Sequence, residues 1–169
     1  MGTTKQQMPY PKSTPTGSED SPESPRAIPN ADWLNRLANR MIGIPFVDFG
    51  RDPEKGLDCF GFAIDFVLRG YGVTIPDPLE SFQRDVIEAG GETLIEPYKA
   101  SWRPVSPRHL APGDLLLFAF PGPAIDHIGV FLDDGWMVHC LKPLGVVRGR
   151  VSDYRSRLRR VLRHDSFLD

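Results

Sequence analysis

The stretch from Asp58 to Gly72 limits most strongly what this chain can fold into. Asp58 is a favourable helix N-cap residue, and the residues after it read CFGFAIDFVLRGYG. The apolar residues of this stretch recur at helical spacing on more than one side: Phe60, Phe62, Ala63, Ile64, Phe66, Val67 and Leu68. A helix that is apolar on most of its sides is buried, so other elements must pack around this one. Gly70 and Gly72 are predicted to end it.

Two further helices are predicted on either side of this buried one. Asn30-Ala31-Asp32 supplies N-cap candidates for the first, and apolar residues then follow at helical spacing: Trp33, Leu34, Leu37, Ala38 and Met41. Gly43 and Pro45 are predicted to end that helix. Residues 46–57 are predicted to form a loop, and residues 77–90 a third, amphipathic helix that Gly90-Gly91 closes.

From residue 93 onward the sequence changes to short β-type runs separated by turn residues. The predicted strands are residues 102–105, 115–120, 127–132, 136–141, 145–151 and 159–163. Helices first and an antiparallel meander after them are typical of an α+β domain. We therefore expect the N-terminal helices to pack on a central antiparallel sheet.

The first 30 residues have a different composition from the rest. They hold six of the 17 prolines, many Ser and Thr, and few large apolar residues. Such a segment buries too little apolar surface to offset the entropy lost on ordering. The sequence thus predicts a disordered arm over residues 1–30 and a single domain over residues 31–169.

Charge and hydropathy exclude several classes of protein. With 20 basic and 22 acidic residues, a net charge of −2 is not typical of a nucleic-acid-binding protein. No apolar run approaches the roughly 18 residues of a membrane span. The N-terminus lacks the apolar stretch of a secretory signal peptide, and Cys59 and Cys140 are too few for a disulfide framework. We expect a protein that is made in the cytoplasm, with no membrane span and no nucleic-acid partner.

Cys59 follows the predicted N-cap directly and lies in the first turn of the buried helix. The partial positive charge of a helix N-terminus favours a thiolate there and lowers the pKa of the thiol. The free N–H groups of that turn can also receive a developing oxyanion. From its position alone, Cys59 is equally consistent with a small buried core residue.

His127 and His139 favour the catalytic interpretation of Cys59. A three-residue turn at Asp133-Asp134-Gly135 would pair Gly129 with His139 and bring both histidines to one face of a hairpin. Cys59 would then be a nucleophile, His127 its base and His139 the group that orients His127. The alternative is two unrelated surface histidines.

A zinc site is the other chemistry that these residue types suggest. His127, His139 and Cys140 are its candidate ligands. His139 and Cys140 are successive residues of one strand and point to opposite faces, so they cannot easily bind one metal ion. The sequence therefore predicts no metal and no cofactor.

Four blocks together resemble the NlpC-type cell-wall peptidases, which are papain-like cysteine endopeptidases that cut the stem peptides of peptidoglycan. The blocks lie within residues 33–163 and read GIPF (43–46), DCFG (58–61), APGDLLLF (111–118) and HIGVFLDDGWMVH (127–139). The resemblance implies a papain-like fold with the catalytic cysteine at a helix N-terminus.

The resemblance also implies roles for single residues. Cys59 matches the catalytic cysteine, His127 the catalytic histidine and His139 the third polar residue. Asp58 matches an aspartate that helps some relatives bind the free amino end of the stem peptide, although its N-cap role needs no substrate. The implied reaction hydrolyses the bond from D-Glu to a diamino acid through a thioester, without a cofactor.

Two residues beside the expected substrate site depart from the family pattern. Phe46 stands where many relatives have a tyrosine whose hydroxyl can donate near the oxyanion, and phenylalanine cannot donate. Phe60 stands where many relatives have serine, and an aromatic residue there resembles the phage-tail branch of the family. That likeness implies tail proteins as partners and the phage virion as a location.

Two other functions remain open from the sequence. One is a structural component of a phage tail or cell envelope that keeps the fold without turnover, and Phe46 favours it. The other is an acyltransferase, which shares the acyl-enzyme and differs in what attacks the thioester. The seven arginines between Arg148 and Arg163 are expected to form a solvated surface or to pair with carboxylates of the protein.

Overall fold

A computed structural model describes residues 29–81, 92–120 and 122–168. The first helix, α1 (Ala31–Met41), begins where the sequence predicts it. The Asn30 side chain accepts a hydrogen bond from the Trp33 N–H at 2.9 Å, which is the N-cap contact that starts a helix. The predicted apolar side of α1 is buried. No helix among the described residues is long and apolar enough to cross a membrane.

The second helix, α2 (Cys59–Tyr71), is the predicted buried helix. Its N-cap is Asp58, whose Oδ1 accepts the Gly61 N–H at 2.7 Å. The prediction that Gly70 ends the helix is wrong, because α2 continues to Tyr71 and closes at Gly72, which has a φ of 72°. Gly70 instead lets α1 cross closely, since a Cβ there would lie 2.8 Å from Leu34 Cδ2.

The sequence predicted that residues 46–57 form a loop, and this is only partly correct. They contain a short antiparallel hairpin of β1 (Arg51–Asp52) and β2 (Gly56–Leu57). This hairpin packs directly on the first turn of α2, where a Cβ on Gly61 would collide with the Gly50 carbonyl oxygen. The absence of a side chain at Gly61 therefore allows the hairpin to hold the start of α2.

A six-stranded antiparallel sheet forms the other half of the fold. Its strands are β3 (Trp102–Pro104), β4 (Leu115–Phe118), β5 (His127–Asp133), β6 (Trp136–Leu141), β7 (Gly145–Arg150) and β8 (Leu158–His164). Their order across the sheet is β3-β8-β4-β5-β6-β7. The meander prediction is correct for β4 to β7, but β8 returns to lie between β3 and β4.

The sheet has an apolar cluster on each face. The larger cluster joins α1 and α2 to one face and includes Cys59, Ile128, Val130, Val138 and Cys140. The smaller cluster covers the other face and includes Leu116, Phe118, Phe131, Met137 and Val161. Helices that pack on one face of an antiparallel sheet make this an α+β fold with a central sheet, as predicted. The side chains of β5 and β6 alternate between the two buried faces.

Several predicted segments fall partly outside the described residues. Of the third helix predicted over residues 77–90, the structure describes one turn, Pro78–Ser81, and residues 82–91 lie outside the description. Another turn, Glu92–Ile95, and three 3₁₀ segments complete the fold: Glu96–Ala100, Val151–Arg157 and Asp165–Phe167. Of the predicted arm, only Pro29 and Asn30 are described.

Three arginines of the basic C-terminal run bind other parts of the protein. Arg163 makes a two-pronged ion pair with the buried Asp114, with Nε–Oδ1 at 2.7 Å and Nη2–Oδ2 at 2.8 Å. Arg148 donates to Asn35 of α1 at 2.7 Å. The Arg150 guanidinium lies 4.1 Å from the centroid of the Trp136 ring. The expectation that this run meets the protein's own carboxylates is confirmed for Arg163.

Candidate active site

His127 and His139 form a buried pair on neighbouring strands. His127 Nε2 and His139 Nδ1 are 3.0 Å apart, and the two residues are 6 % and 0 % exposed. Gly129 lies opposite His139 in the register of β5 and β6, as the sequence predicts. The missing side chain at Gly129 leaves room for the two rings to approach each other diagonally.

The turn that brings these histidines together differs from the prediction. It is a two-residue turn, Asp134-Gly135, with φ angles of 43° and 75°, which is the pattern of a type I′ turn. Asp133 pairs with Trp136, and the register shifts between Phe131 and Asp133, so Leu132 is the extra residue of a β-bulge. The prediction of a three-residue turn is therefore wrong. The bulge shifts the strand pairing by the one residue that the longer turn would have supplied, so both histidines still lie on one face.

Aromatic rings enclose the histidine pair. The His127 ring centroid lies 5.4 Å from that of Phe120 and 5.8 Å from that of Phe118, and the His139 centroid lies 5.3 Å from that of Tyr154. The sequence analysis assigned no role to these three aromatic residues. Phe118 and Phe120 lie in or next to the apolar strand β4, where composition does not distinguish a wall around a site from ordinary core, and Tyr154 comes from the 3₁₀ segment Val151–Arg157.

Cys59 lies at the N-terminus of α2 and is 9 % exposed. Its thiol donates to the Asp126 carbonyl oxygen at 3.8 Å, and the Ile128 N–H also acts on its sulfur. The thiol is thus held against the backbone on both sides of His127. Among the described residues no hydrogen bond joins the thiol to the His127 ring. The structure thus brings the two histidines together and places the Cys59 thiol against the backbone beside them, and the role of Cys59 as nucleophile stays a prediction.

The expectation that the pKa of the Cys59 thiol is lowered is wrong, because the thiol is buried. Burial raises the pKa of Cys59 to about 12, and the negative charge of Asp58 raises it further, although N–H groups of Ile128 and Phe60 act in the opposite direction. The carboxylate that caps α2 also offsets the positive end of the helix dipole. The favourable effect of the helix N-terminus is therefore outweighed.

The same burial keeps the histidines uncharged. It lowers the pKa of His127 to about 3, with repulsion from His139 as a second cause, and lowers the pKa of His139 to about 4. At neutral pH the thiol and both rings are neutral. Cys59 and His127 are therefore not a thiolate–imidazolium pair.

The predicted role of His127 as a base requires one particular tautomer of each ring. His127 can accept a proton from Cys59 at Nδ1 only if its Nε2–H donates to Nδ1 of His139. His139 then carries its own proton on Nε2, which is buried without a partner in the described part of the chain. A Cβ on Gly149 would lie 3.1 Å from that nitrogen, so this glycine makes space for the His139 ring.

Asp58 is engaged on two sides by the protein itself. Its Oδ1 accepts the Gly61 N–H and also pairs with Arg51 Nη1 at 2.7 Å. Arg51 reaches in addition to Asp77, with Nε–Oδ2 and Nη2–Oδ1 both at 3.0 Å. The N-cap role of Asp58 is confirmed, and its role in substrate binding stays a prediction. No spacing in the sequence indicated Arg51 or Asp77, because tertiary packing alone joins them.

The two phenylalanines predicted beside the substrate occupy different environments. Phe46 is half-buried, forms a parallel bridge with Leu57, and lies under the Lys142 ammonium at 5.8 Å from its ring centroid. Phe60 is 6 % exposed and belongs to the larger core cluster. Contact of either residue with substrate stays a prediction.

Cys140 lies on the opposite face of β6 from His139. Its thiol donates to the Leu57 carbonyl oxygen at 3.1 Å, and the residue packs in the larger core cluster. This position confirms the argument that His139 and Cys140 point apart. Within the described ranges, no group of three or more His, Cys, Asp or Glu side chains is arranged to hold a metal ion.

Comparison with known proteins gives one family match. The model of the NlpC/P60 family matches residues 43–163, a range that begins at the first residue of the GIPF block. No curated protein sequence matches the chain.

Solved structures of that family share the fold. An NlpC/P60 family protein from Bacillus cereus aligns with a TM-score of 0.61 and 23 % identity, over 82 % of this chain and 41 % of that one. The NlpC/P60 domain of the peptidoglycan hydrolase SagA aligns with a TM-score of 0.54 and 26 % identity, over 79 % and 98 %. The peptidoglycan hydrolase RipB from Mycobacterium tuberculosis aligns with a TM-score of 0.52 and 23 % identity, over 82 % and 65 %. The chain thus spans less than half of the Bacillus protein and nearly all of the SagA domain.

Proposed function

Because the chain belongs to the NlpC/P60 family, we propose that it is a cysteine endopeptidase that hydrolyses an amide bond of peptidoglycan stem peptides. The observation that carries the proposal is the His127–His139 pair next to a cysteine at a helix N-terminus. The SagA domain, which this chain covers almost completely, belongs to a peptidoglycan hydrolase. By family resemblance, the bond cut is the one from D-Glu to a diamino acid.

The mechanism begins from a neutral thiol and a neutral imidazole. Cys59 Sγ attacks the scissile carbonyl carbon while its proton passes to His127 Nδ1, and the carbonyl oxygen becomes an oxyanion near the Cys59 N–H. His139 accepts the Nε2–H of His127 and stabilises the imidazolium that forms. The imidazolium protonates the leaving amine, and a thioester remains on Cys59.

The second half returns the enzyme to its starting state. His127, now neutral, takes a proton from a water molecule as that water attacks the thioester carbonyl. Collapse of this intermediate breaks the C–S bond, and the proton on His127 returns to the Cys59 sulfur. The product is a stem peptide with a new carboxylate, and no cofactor takes part.

We also propose a phage-tail or prophage setting for this hydrolase. The support is Phe60, an aromatic residue directly after the nucleophile where many relatives have serine. Its partners would then be other tail proteins.

A structural component without turnover is the second candidate. The buried Cys59 thiol donates a hydrogen bond to the Asp126 carbonyl rather than to His127, and this favours the structural role. Phe46, which offers no donor to an oxyanion, favours it too.

The direct test is cleavage of purified muropeptides, followed by mass spectrometry, with Cys59→Ser and Cys140→Ser compared. Both cysteines are buried and free, but only Cys59 lies beside the histidine pair. We expect Cys59→Ser to lose turnover by at least a thousandfold with its fold intact, because a serine hydroxyl is a far weaker nucleophile here. Cys140→Ser should retain activity.

Two results would contradict this proposal. Cleavage by Cys59→Ser at the wild-type rate would remove Cys59 as the nucleophile. A folded wild-type protein that leaves every muropeptide intact would favour the structural component.

A further inference from the structure

The His139 ring is held by a hydrogen bond on one side only. Its Nδ1 lies 3.0 Å from His127 Nε2, whereas its Nε2 is buried and has no hydrogen-bond partner in the described part of the chain. The side-chain torsion that turns an imidazole has two broad minima, and a half turn would put a ring carbon where Nδ1 now lies. The groups that pack around Nε2 therefore decide which way the ring faces.

Gly149 and Tyr154 both lie against the Nε2 side of His139. A Cβ on Gly149 would be 3.1 Å from His139 Nε2 and 3.2 Å from Tyr154 Cε2, so the unpartnered nitrogen and the tyrosine ring converge on the same point. The His139 and Tyr154 ring centroids are 5.3 Å apart, and the rings are inclined at 80°, which is an edge-to-face contact. Tyr154 thus touches the His139 ring directly.

Other aromatic rings hold Tyr154 in its place. Tyr154 belongs to the 3₁₀ segment Val151–Arg157 and packs on the smaller core cluster. Its ring centroid lies 6.1 Å from that of Phe118 and 5.8 Å from that of Phe120, both in edge-to-face contacts. The position of Tyr154 is thus fixed by contacts other than the one with His139.

We propose that Tyr154 is a positioning residue, whose ring holds the His139 imidazole with Nδ1 facing His127. This inference rests on the proposed function, because the reaction needs His139 to orient His127. Tyr154 acts through the packing of its ring, so its hydroxyl is not required.

The contribution of Tyr154 to the reaction follows from what a turned His139 would lack. With a ring carbon in place of Nδ1, the Nε2–H of His127 would have no acceptor on His139, and the imidazolium formed during attack would be less stable. This loss affects the chemical step and not the affinity for substrate, so it lowers kcat and kcat/KM together.

The first measurement is the ¹⁵N–¹⁵N coupling across the hydrogen bond between His127 Nε2 and His139 Nδ1, in protein labelled with ¹⁵N-histidine. This coupling reports the hydrogen bond whichever nitrogen carries the proton, and it does not require turnover. We expect the coupling in the wild type and in Tyr154→Phe, which keeps the ring. In Tyr154→Leu it should be lost, because leucine does not provide the flat ring that packs beside Nε2.

Phe167→Leu is the matched control for the loss of an aromatic ring. Phe167 also packs against a histidine, with its ring centroid 5.7 Å from that of His164, and it is partly buried against the larger core cluster. His164 lies on β8, which β4 separates from β5. Phe167→Leu should therefore keep the coupling between His127 and His139.

Rates of muropeptide cleavage, measured well below the Tm of each variant, separate positioning from a general loss of stability. For Tyr154→Leu we expect kcat to fall about tenfold to a hundredfold, with KM nearly unchanged. Tyr154→Phe and Phe167→Leu should keep the wild-type kcat.

Gly149→Ala disturbs the same contact without removing a ring. Gly149 has no positive φ, but its added Cβ would press on both His139 Nε2 and Tyr154 Cε2, so the two rings must shift to accept it. We expect a weaker coupling and a lower kcat, and little further loss when Gly149→Ala is added to Tyr154→Leu. This variant also tests the proposal if Tyr154→Leu does not fold.

Each outcome supports or overturns one of the two proposals. The positioning role is overturned if the coupling is absent from the wild type, if it persists in Tyr154→Leu, or if Phe167→Leu loses it as well. A loss of kcat in Tyr154→Phe as large as in Tyr154→Leu would also overturn it, since the ring would not be the group that acts. A coupling that depends on Tyr154, in a wild-type protein that cuts no muropeptide, would overturn the peptidase proposal alone.

Discussion

At the scale of single residues, burial dominates the electrostatics of the site. The thiol of Cys59 and the rings of His127 and His139 are all held neutral by the same desolvation. The identity of these three residues was predictable from the sequence, because Cys59 follows an N-cap and the histidines flank one hairpin. Their protonation states were not, since they depend on burial by tertiary packing, which the histidines receive from the rings of Phe118, Phe120 and Tyr154 and Cys59 from the larger core cluster.

The depressed histidine pKa values predict a loss of stability in acid. Unfolded histidine has a pKa of about 6.5, so below that pH the unfolded chain binds more protons than the native one and the free energy of unfolding falls. The decline should continue until the pH reaches the native values of about 3 for His127 and about 4 for His139. Urea unfolding at a series of pH values from 8 to 4 measures it.

A variant comparison isolates this contribution from that of the carboxylates. In His139→Gln the stability should fall less steeply between pH 6.5 and 4 than in the wild type. The exposed His109 serves as the control, and His109→Gln should keep the wild-type slope. Parallel curves for all three proteins would show that the buried histidines are not held neutral.

At the scale of elements, the β5–β6 hairpin decides whether a histidine pair exists. Its alternating apolar sequence was sufficient to predict two strands and the pairing of Gly129 with His139. The exact turn was not predictable, because a three-residue turn and a two-residue turn with a bulge give the same offset. The order β3-β8-β4 was missed for a related reason: no local pattern in residues 158–164 states which strands they will join.

Because Gly135 has a positive φ of 75°, we expect the stability of the hairpin turn to depend on glycine at this position. We expect Gly135→Ala to lower the free energy of unfolding by about 1–2 kcal/mol, because an L-residue is strained in the left-handed region. Gly122→Ala is the matched control, since Gly122 has no positive φ and a Cβ there meets nothing within 4 Å. Equal stabilities of the two variants in urea would contradict the type I′ turn.

At the scale of the whole molecule, helices and sheet supply different parts of the site. Cys59 belongs to the helical layer and the histidine pair to the sheet, so the proposed reaction depends on how the layers are held together. The Arg51 bridge between Asp58 and Asp77 and the Arg148 contact with Asn35 help fix the start of α2 and α1. The order of helices and strands was predictable from periodicity, whereas Arg51–Asp77 and Arg148–Asn35 join residues that are 26 and 113 positions apart in sequence.

The start of the packed region predicts how truncations will behave. Pro29 is buried and packs so closely on Gly113 that a Cβ on Gly113 would lie 2.7 Å from Pro29 Cγ. Asn30 caps α1. Removal of residues 1–28 should leave Tm within about a degree. Removal of residues 1–30 should lower it by several degrees, because losing an N-cap alone costs about 1 kcal/mol. Thermal unfolding of both proteins checks this, and equal Tm values would exclude a role for Pro29 and Asn30.

The tip of the β5–β6 hairpin is free to change in length because the pairing of the two strands is set elsewhere. Side chains alternate between the two faces of a strand, so a slip of one residue between β5 and β6 would move His139 away from His127. Almost every residue of both strands is buried, and burial on both faces opposes such a slip. Residues inserted between Asp133 and Trp136 therefore lengthen the loop and leave the pairing of Gly129 with His139 as it is. The spacing of the two imidazole rings is thus insulated from insertions at this tip.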